Sequence, residues 1–386
     1  MSRLTVVHAA KFYPPARGGM ERMLGGICDG TSNDWNVRVV AANDGRATRH
    51  EQLGGVDVVR AGAWASAHSV PLCPSMPAHL WSRRADCVVL HEPNPLAGSS
   101  LFLHTPAPRF VIWHHSDLVR PAWAPHTYGR IQRALYRRAD CVIVSSPVLT
   151  AQSALVRCAR RVAVIPFGVA LEQYRRTDAA RRSRVAEIRA SAPGPHVLFV
   201  GRLVYYKGLE MAIQAMMRCP GTLTIVGTGP LEPSLREAAR RRGVADRVRF
   251  VGNVPEDDLP AYYQACDLFV LPSIAVTEAF GIVQIEAMAA GAPVVSTNLP
   301  TGVPWVNQHD VTGLVVPPGD ADALAHAMRA LLEDDGRRER LGAQASDRAD
   351  RLFSLERMVA SFRSLIETTV RTPERLEQYL VEEELA

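Results

Sequence analysis

Short apolar runs recur along this chain, each followed by a longer stretch in which apolar residues return every three or four positions. The short runs predict strands over 4–8, 37–41, 56–60, 86–91, 109–113, 141–145 and 162–165. A second series predicts strands over 196–201, 223–227, 248–251, 268–271, 294–296 and 314–316. The helical spacing predicts helices over 20–28, 128–139, 147–157, 208–217, 231–242, 259–266 and 281–290. Two more, over 322–334 and 355–370, close the chain. Strands that are apolar throughout, rather than alternating, belong to parallel sheets with helices on both faces. Two such series predict an α/β protein of two Rossmann-like domains, with an arginine- and proline-containing stretch near 170–195 read as the linker. A length of 386 residues agrees, being too long for one ordinary core.

Composition changes this picture little. Hydrophobic residues at 47% and charged residues at 22% are those of a soluble globular chain. No apolar run approaches the roughly 18 residues of a membrane span. The apolar start, followed by Lys11 without a cleavage-like site, reads as a first strand and not a signal peptide. Seven cysteines without a Cys-x-x-Cys point to a reducing, cytoplasmic compartment and no structural zinc. Cys87 and Cys141 fall in strand runs and read as small core residues.

Charge adds more. Between Arg130 and Arg189 stand 13 arginines against 4 acids, and the last 15 residues carry 5 acids against one arginine. A basic stretch suits an anionic membrane surface or an anionic substrate. Arg130, Arg133, Arg137 and Arg138, interleaved with Ile131 and Leu135, fit an interfacial helix. They fit better an amphipathic helix packed on a sheet. No nucleic-acid-binding motif accompanies the charge, so nucleic acid is not expected.

Candidate chemistry concentrates in Glu278-Ala-Phe-Gly-Ile-Val-Gln-Ile-Glu286. A carboxylate at a strand-to-helix turn can hold a sugar hydroxyl, and a second, further along the helix, can reach a ribose. The first-turn amides between them, around Phe280, Gly281 and Ile282, are donors suited to phosphate. Arg202, after the first strand of the second series, and Lys207 before the next helix put two cations beside a helix N-terminus, where the dipole prefers an anion. A diphosphate offsets that, with Arg as a planar fork and Lys as a point charge. Gly18-Gly19 and Gly227-Thr-Gly-Pro230 are strand-to-helix turns that let backbone approach a phosphate or sugar, or are turns only. They are not a Gly-x-Gly-x-x-Gly fingerprint, so nicotinamide and flavin gain no support. His91, His114 and His115 lie at strand ends, where a histidine can meet a sugar hydroxyl or serve as a structural hydrogen-bonder. Asp320-Ala-Asp322 opens a helix and reads as a cap, not a metal site. Hydrolase and ATPase motifs are missing.

As a set, the glutamate pair with its Phe-Gly turn, Gly201-Arg-Leu with Lys207-Gly208, and Gly18-Gly19 resemble the retaining glycosyltransferases of family 4. The stretches 199–208 and 296–307 are similar to bacterial mannosyl- and rhamnosyltransferases that build O-antigen and other surface polysaccharides from GDP-sugars. The resemblance implies the GT-B fold, two Rossmann-like domains facing a central cleft. It divides the chain into an acceptor domain over 1–175, a nucleotide-sugar domain over 176–352, and a segment over 353–386 whose helix returns to the first domain before an acidic tail. It implies that Arg202 and Lys207 hold the donor diphosphate, Glu278 the sugar hydroxyls and Glu286 the ribose. The amides of Phe280, Gly281 and Ile282 meet the diphosphate, Gly227 borders the nucleotide, and Gly18 and Gly19 shape the loop facing phosphates and acceptor. His115 matches the histidine near the transferred sugar, with His114 beside it. The expected activity is metal-independent, retaining hexosyl transfer from GDP-mannose or GDP-rhamnose, without a cofactor, to a polyprenyl-diphosphate-linked glycan. The enzyme is expected in the cytoplasm or at the inner face of the plasma membrane. Two alternatives stay open: a nucleotide-sugar epimerase of the same fold, and a non-catalytic nucleotide-sugar-binding subunit.

Overall fold

The computed structural model describes residues 3–16, 18–67, 70–82, 84–117, 128–192 and 194–377. The chain divides into a first unit, Met1–Phe167 with Leu355–Ala386, and a second, Gly168–Ser354. The acidic tail beyond 377 lies outside the described residues.

In chain order the first unit has strands β1 (Thr5–Ala9), β2 (Asn36–Ala42), β3 (Arg49–Leu53), β4 (Val56–Ala61), β5 (Ala65–Ala67), β6 (Val70–Leu72), β7 (Cys87–Glu92), β8 (Arg109–His114), β9 (Cys141–Val144) and β10 (Val162–Val164). Its main sheet runs β10-β9-β8-β7-β1-β2-β4-β3, while β5 and β6 form a separate hairpin. Every pairing in the main sheet is parallel except β3 with β4. That antiparallel edge strand, Arg-His-Glu-Gln-Leu, has no apolar run and stands largely exposed, so nothing in the pattern announces it. Charged, exposed edges of this kind protect a sheet from adding strands. Val7, Val88, Leu90, Ile112, Leu135 and Val142 lie in one core cluster. Cys87 and Cys141 are fully buried in β7 and β9, and burial pushes the Cys141 thiol up to about 12.

The second unit holds β11 (His196–Val200), β12 (Thr222–Val226), β13 (Val248–Gly252), β14 (Leu268–Leu271), β15 (Val294–Thr297) and β16 (Gly313–Val316). They form one parallel sheet ordered β13-β12-β11-β14-β15-β16. Val197, Phe199, Ile213, Ile225, Val270 and Met328 share its core.

The stretch read as a linker instead carries a helix, Ala179–Ala190. Asp178 caps it by accepting from the Arg181 amide at 2.8 Å, and Ile188 is its one buried residue. A helix that buries one side chain shows no apolar period. A further helix, Asp335–Leu352, also escapes the pattern. Its buried face is Leu341, Gly342, Ala345, Arg348 and Ala349, mostly small residues. A Cβ at Gly342 would lie 2.2 Å from the Gly291 carbonyl oxygen, so glycine lets the helix close on that turn. The short helices Met76–Trp81, Pro95–Leu103, Glu172–Arg175 and Val303–Val306 are further additions.

The last helix, Leu355–Arg371, packs within the first unit on the helix Gly19–Thr31. Gly26 and Gly30 admit Leu355 and Val359 there, and Arg363 donates to the Gly30 carbonyl at 2.7 Å and pairs with Asp34. The arginine-rich helix Gly129–Arg138 buries Gln132, Leu135 and Tyr136 and exposes Arg130, Arg133, Arg137 and Arg138. The sheet therefore uses its apolar face, as an ordinary packed helix does.

Candidate active site

Ligands of open parallel sheets bind outside the carboxyl ends of the strands, where strand order reverses. In the second unit the chain runs β11, β12, β13 to one side, then returns as β14 on the other side of β11. The reversal thus lies between β11 and β14. Arg202 and Lys207 follow β11, and Glu278 follows β14, so topology alone brings the three to one place.

Lys207 Nζ stands 2.5 Å from Glu278 Oε2, and each residue is 8% exposed. The Ser273 hydroxyl donates to the same carboxylate oxygen at 3.0 Å. Ser273 is fixed in turn by the Thr297 hydroxyl, which donates to its carbonyl at 2.5 Å from the end of β15. The Ile274 amide donates to the Tyr206 carbonyl at 2.8 Å and ties the two loops together. Gly208, at φ 64, lets the loop turn into the helix Leu209–Ala215, and a Cβ there would lie 2.0 Å from the Pro272 carbonyl oxygen. Arg202 is exposed and donates to the Tyr206 hydroxyl at 3.2 Å.

The helix Ile282–Ala289 opens at Gly281, whose φ of 73 is left-handed. Phe280 is buried, with its ring 6.1 Å from that of Trp305. Ile282 is half-buried at the helix mouth. Glu286, one turn in, is 1% exposed and accepts from the Tyr263 hydroxyl at 2.6 Å. Lys207 and Glu278 are thus joined, while Glu286 is covered by Tyr263. Gly227 packs for its own reasons, since a Cβ there would lie 2.1 Å from the Gly201 carbonyl oxygen.

The first sheet reverses between β1 and β7. His8 stands in β1, His91 in β7, and His115 follows β8. His8 Nδ1 is 3.0 Å from His91 Nε2, and His91 Nδ1 is 3.0 Å from His115 Nε2. His114 is separate: its Nδ1 meets the Tyr136 hydroxyl at 2.6 Å, and its Nε2 is 3.8 Å from Asp117. Burial holds all four well below the ordinary histidine value, His8 and His115 to about 3 and His114 to about 4. His91 has both ring nitrogens engaged by other histidines, which closes it to a sugar. Gly18 and Gly19 open the helix Gly19–Thr31, where a Cβ at Gly18 would lie 2.1 Å from Glu21 Oε2. Asp320 caps its helix, accepting from the Asp322 and Ala323 amides at 3.1 and 2.9 Å, while Asp322 pairs with Arg218. Ser273, Tyr206, Tyr263 and His8 escaped the sequence reading. A histidine in the apolar run before Ala9 was the one available signal.

Two Rossmann-like units, each with polar residues gathered at its sheet reversal, are the parts of the GT-B fold. Family models described as "Glycosyl transferase 4-like domain" and "Glycosyl transferases group 1" match residues 18–168 and 184–348. O-antigen chain mannosyltransferase C of Escherichia coli is 30% identical over 96% of this chain and 100% of its own length. D-rhamnosyltransferase WbpZ of Pseudomonas aeruginosa is 30% identical over 91% of this chain and 92% of its own. Among solved structures, Anabaena Alr3699/HepE in complex with UDP and glucose superposes with a TM-score of 0.77 at 22% identity, covering 95% of this chain and 100% of that one. The chain belongs to the family 4 glycosyltransferases. No helix among the described residues is long and apolar enough to cross a membrane.

Proposed function

We propose that this enzyme transfers mannose or rhamnose, with retention of configuration and without a metal or other cofactor, from a GDP-sugar to a growing polysaccharide on a polyprenyl diphosphate. The observation that carries the reading is the buried Lys207–Glu278 pair at the β11/β14 reversal, with Arg202 beside it. In the resting enzyme the ammonium and carboxylate hold each other. A donor exchanges these partners: the diphosphate takes Lys207 and Arg202, and the sugar hydroxyls take Glu278. First-turn amides at Gly281 and Ile282 add donors to the phosphate. Glu286 meets the ribose once Tyr263 yields. Breaking the anomeric bond leaves a diphosphate anion and an oxocarbenium-like sugar, and fixed cations stabilise that developing charge. The acceptor hydroxyl attacks from the leaving group's own face and gives its proton to the departing phosphate oxygen. His115 faces the transferred sugar, and Gly18 and Gly19 line the approach of the acceptor.

The relatives' names, a mannosyltransferase and a rhamnosyltransferase, support the sugar. The Anabaena structure, bound to UDP and glucose, supports a nucleotide-sugar. The enzyme works on the cytoplasmic side, at the inner membrane face where a lipid-linked acceptor is found. Leu135 is spent in the core and Arg138 donates to the Leu101 and Phe102 carbonyls, so membrane contact through the helix Gly129–Arg138 is electrostatic, carried by Arg130, Arg133 and Arg137.

The test is transfer from GDP-mannose and GDP-rhamnose to a lipid-linked acceptor in excess EDTA, with the new linkage read by NMR. Undiminished transfer with the donor's anomeric configuration supports the proposal. Loss of turnover on chelation, an inverted product, or conversion of the nucleotide-sugar without any acceptor contradicts it.

A further inference from the structure

Behind the histidine assigned to the sugar stand two others. β8, β7 and β1 are neighbours in the sheet, and their carboxyl ends set His115, His91 and His8 in a row. The two bridges are each 3.0 Å, and the rings of His91 and His115 stack with centroids 5.3 Å apart. No member of the row is more than 6% exposed. Aromatic rings enclose it: Trp113 lies 5.8 Å from His91, Phe167 5.6 Å from His115, and Phe362 of the last helix 5.7 Å from His8. The row ends in two buried nitrogens, His8 Nε2 and His115 Nδ1, with no hydrogen-bond partner among the described residues.

A neutral imidazole carries one N–H and one lone pair. Each bridge therefore needs a donor on one side and an acceptor on the other. If His8 carries its proton on Nδ1, His91 must accept on Nε2 and so carries its own on Nδ1, and His115 follows. If His8 carries it on Nε2, all three do. Any mixed state sets two N–H groups, or two lone pairs, face to face across 3.0 Å.

We propose that His8, His91 and His115 act as one tautomeric unit, in which His8 and His91 are positioning residues that set whether His115 presents an N–H or a lone pair to a sugar hydroxyl. The part concerning sugar rests on the reading of His115 given above; the shared tautomer does not. Passing between the two states moves each bridging proton across its hydrogen bond. One proton leaves the row at one end and one enters at the other, exchanged with water when the end rings are transiently uncovered, and all three rings are neutral in both states. Burial, which presses all three rings well below the ordinary histidine value, keeps them neutral as the row requires.

The test uses the full chain labelled with nitrogen-15 histidine, near neutral pH, and reads each ring's tautomer from its nitrogen shifts. The expected result is three neutral rings of one tautomer. One charged ring, or two different tautomers, overturns the proposal without reference to any substrate. GDP-mannose is then added as the probe. A change at His115 matched by the same change at His8, and lost at His8 in His91→Phe, supports the positioning role. A thermal shift showing that GDP-mannose binds, with all three rings unchanged, overturns that role together with the sugar-facing placement of His115, while the shared tautomer stands or falls on the first measurement. In kinetics, His8→Phe lowers kcat by about tenfold with donor KM unchanged, and an unaltered kcat counts against the positioning role.

Discussion

Lys207 and Glu278 illustrate how residues can be named from the sequence without their state being known. Spacing and turn glycines marked both, but only the structure joins them at 2.5 Å in a nearly dry setting. Breaking such a pair by removing one partner strands a buried charge, at a cost of about 3–5 kcal/mol. A substrate that brings its own anion and hydroxyls replaces both partners at once, which is how the pair can serve a diphosphate sugar. His91, His114 and His115 were legible as residues, His8 was not, and the row was not legible at all, because hydrogen bonds between neighbouring strands leave no trace in linear spacing. They also make a pH prediction. Each has a folded value depressed from about 6.5, to about 3 for His8. The folded chain thus refuses protons that the unfolded chain accepts. Their stabilisation is complete above about pH 6.5 and is lost as pH falls from there toward 3. Denaturant unfolding of wild type and His8→Phe between pH 7.5 and 5 should show the variant losing less stability, by up to about 1.4 kcal/mol per pH unit. Parallel profiles would mean that His8 is not held neutral.

At the scale of elements, the apolar strands were legible throughout, because strands buried on both faces need apolar residues at every position. Elements built on other physics were not. β3 is polar because it is an exposed edge. Ala179–Ala190 buries a single residue, and Asp335–Leu352 packs through Gly342, Ala345 and Ala349, where backbone proximity replaces apolar bulk. Helix ends were legible where a side chain closes them. Asp320 is the informative instance, since the same Asp-x-Asp also fits a metal motif, and its carboxylate is taken by two amides. Asp320→Ala should lower the unfolding free energy by about 1 kcal/mol. It should leave transfer rate and the response to divalent ions as in wild type, which parallel denaturation and activity assays would check. A variant that gains or loses metal dependence would place Asp320 in the chemistry instead.

At the scale of the whole molecule, two sheets carry their chemistry at the same topological address. In each, the strand that starts the series has neighbours laid down on both sides in turn; in the second sheet a residue following β11 meets one following β14, and in the first His8 of β1 meets His91 of β7. The sequence grouped Arg202, Lys207 and Glu278 only through the resemblance; the strand order, seen in the structure, gives the physical reason they belong together. The same rule explains why Ser273 and Tyr206 were missed: they orient the pair from within loops whose shape depends on backbone bonds such as Ile274 to Tyr206. The proposed function requires fixed positive groups at the β11/β14 reversal to grip a sugar-bearing diphosphate. Calorimetric titration of GDP-mannose into wild type and Lys207→Ala, both in EDTA, tests it most directly. Wild type is expected to bind, and the substitution to weaken binding at least tenfold, about 1.4 kcal/mol. Equal affinity in the two proteins would contradict it.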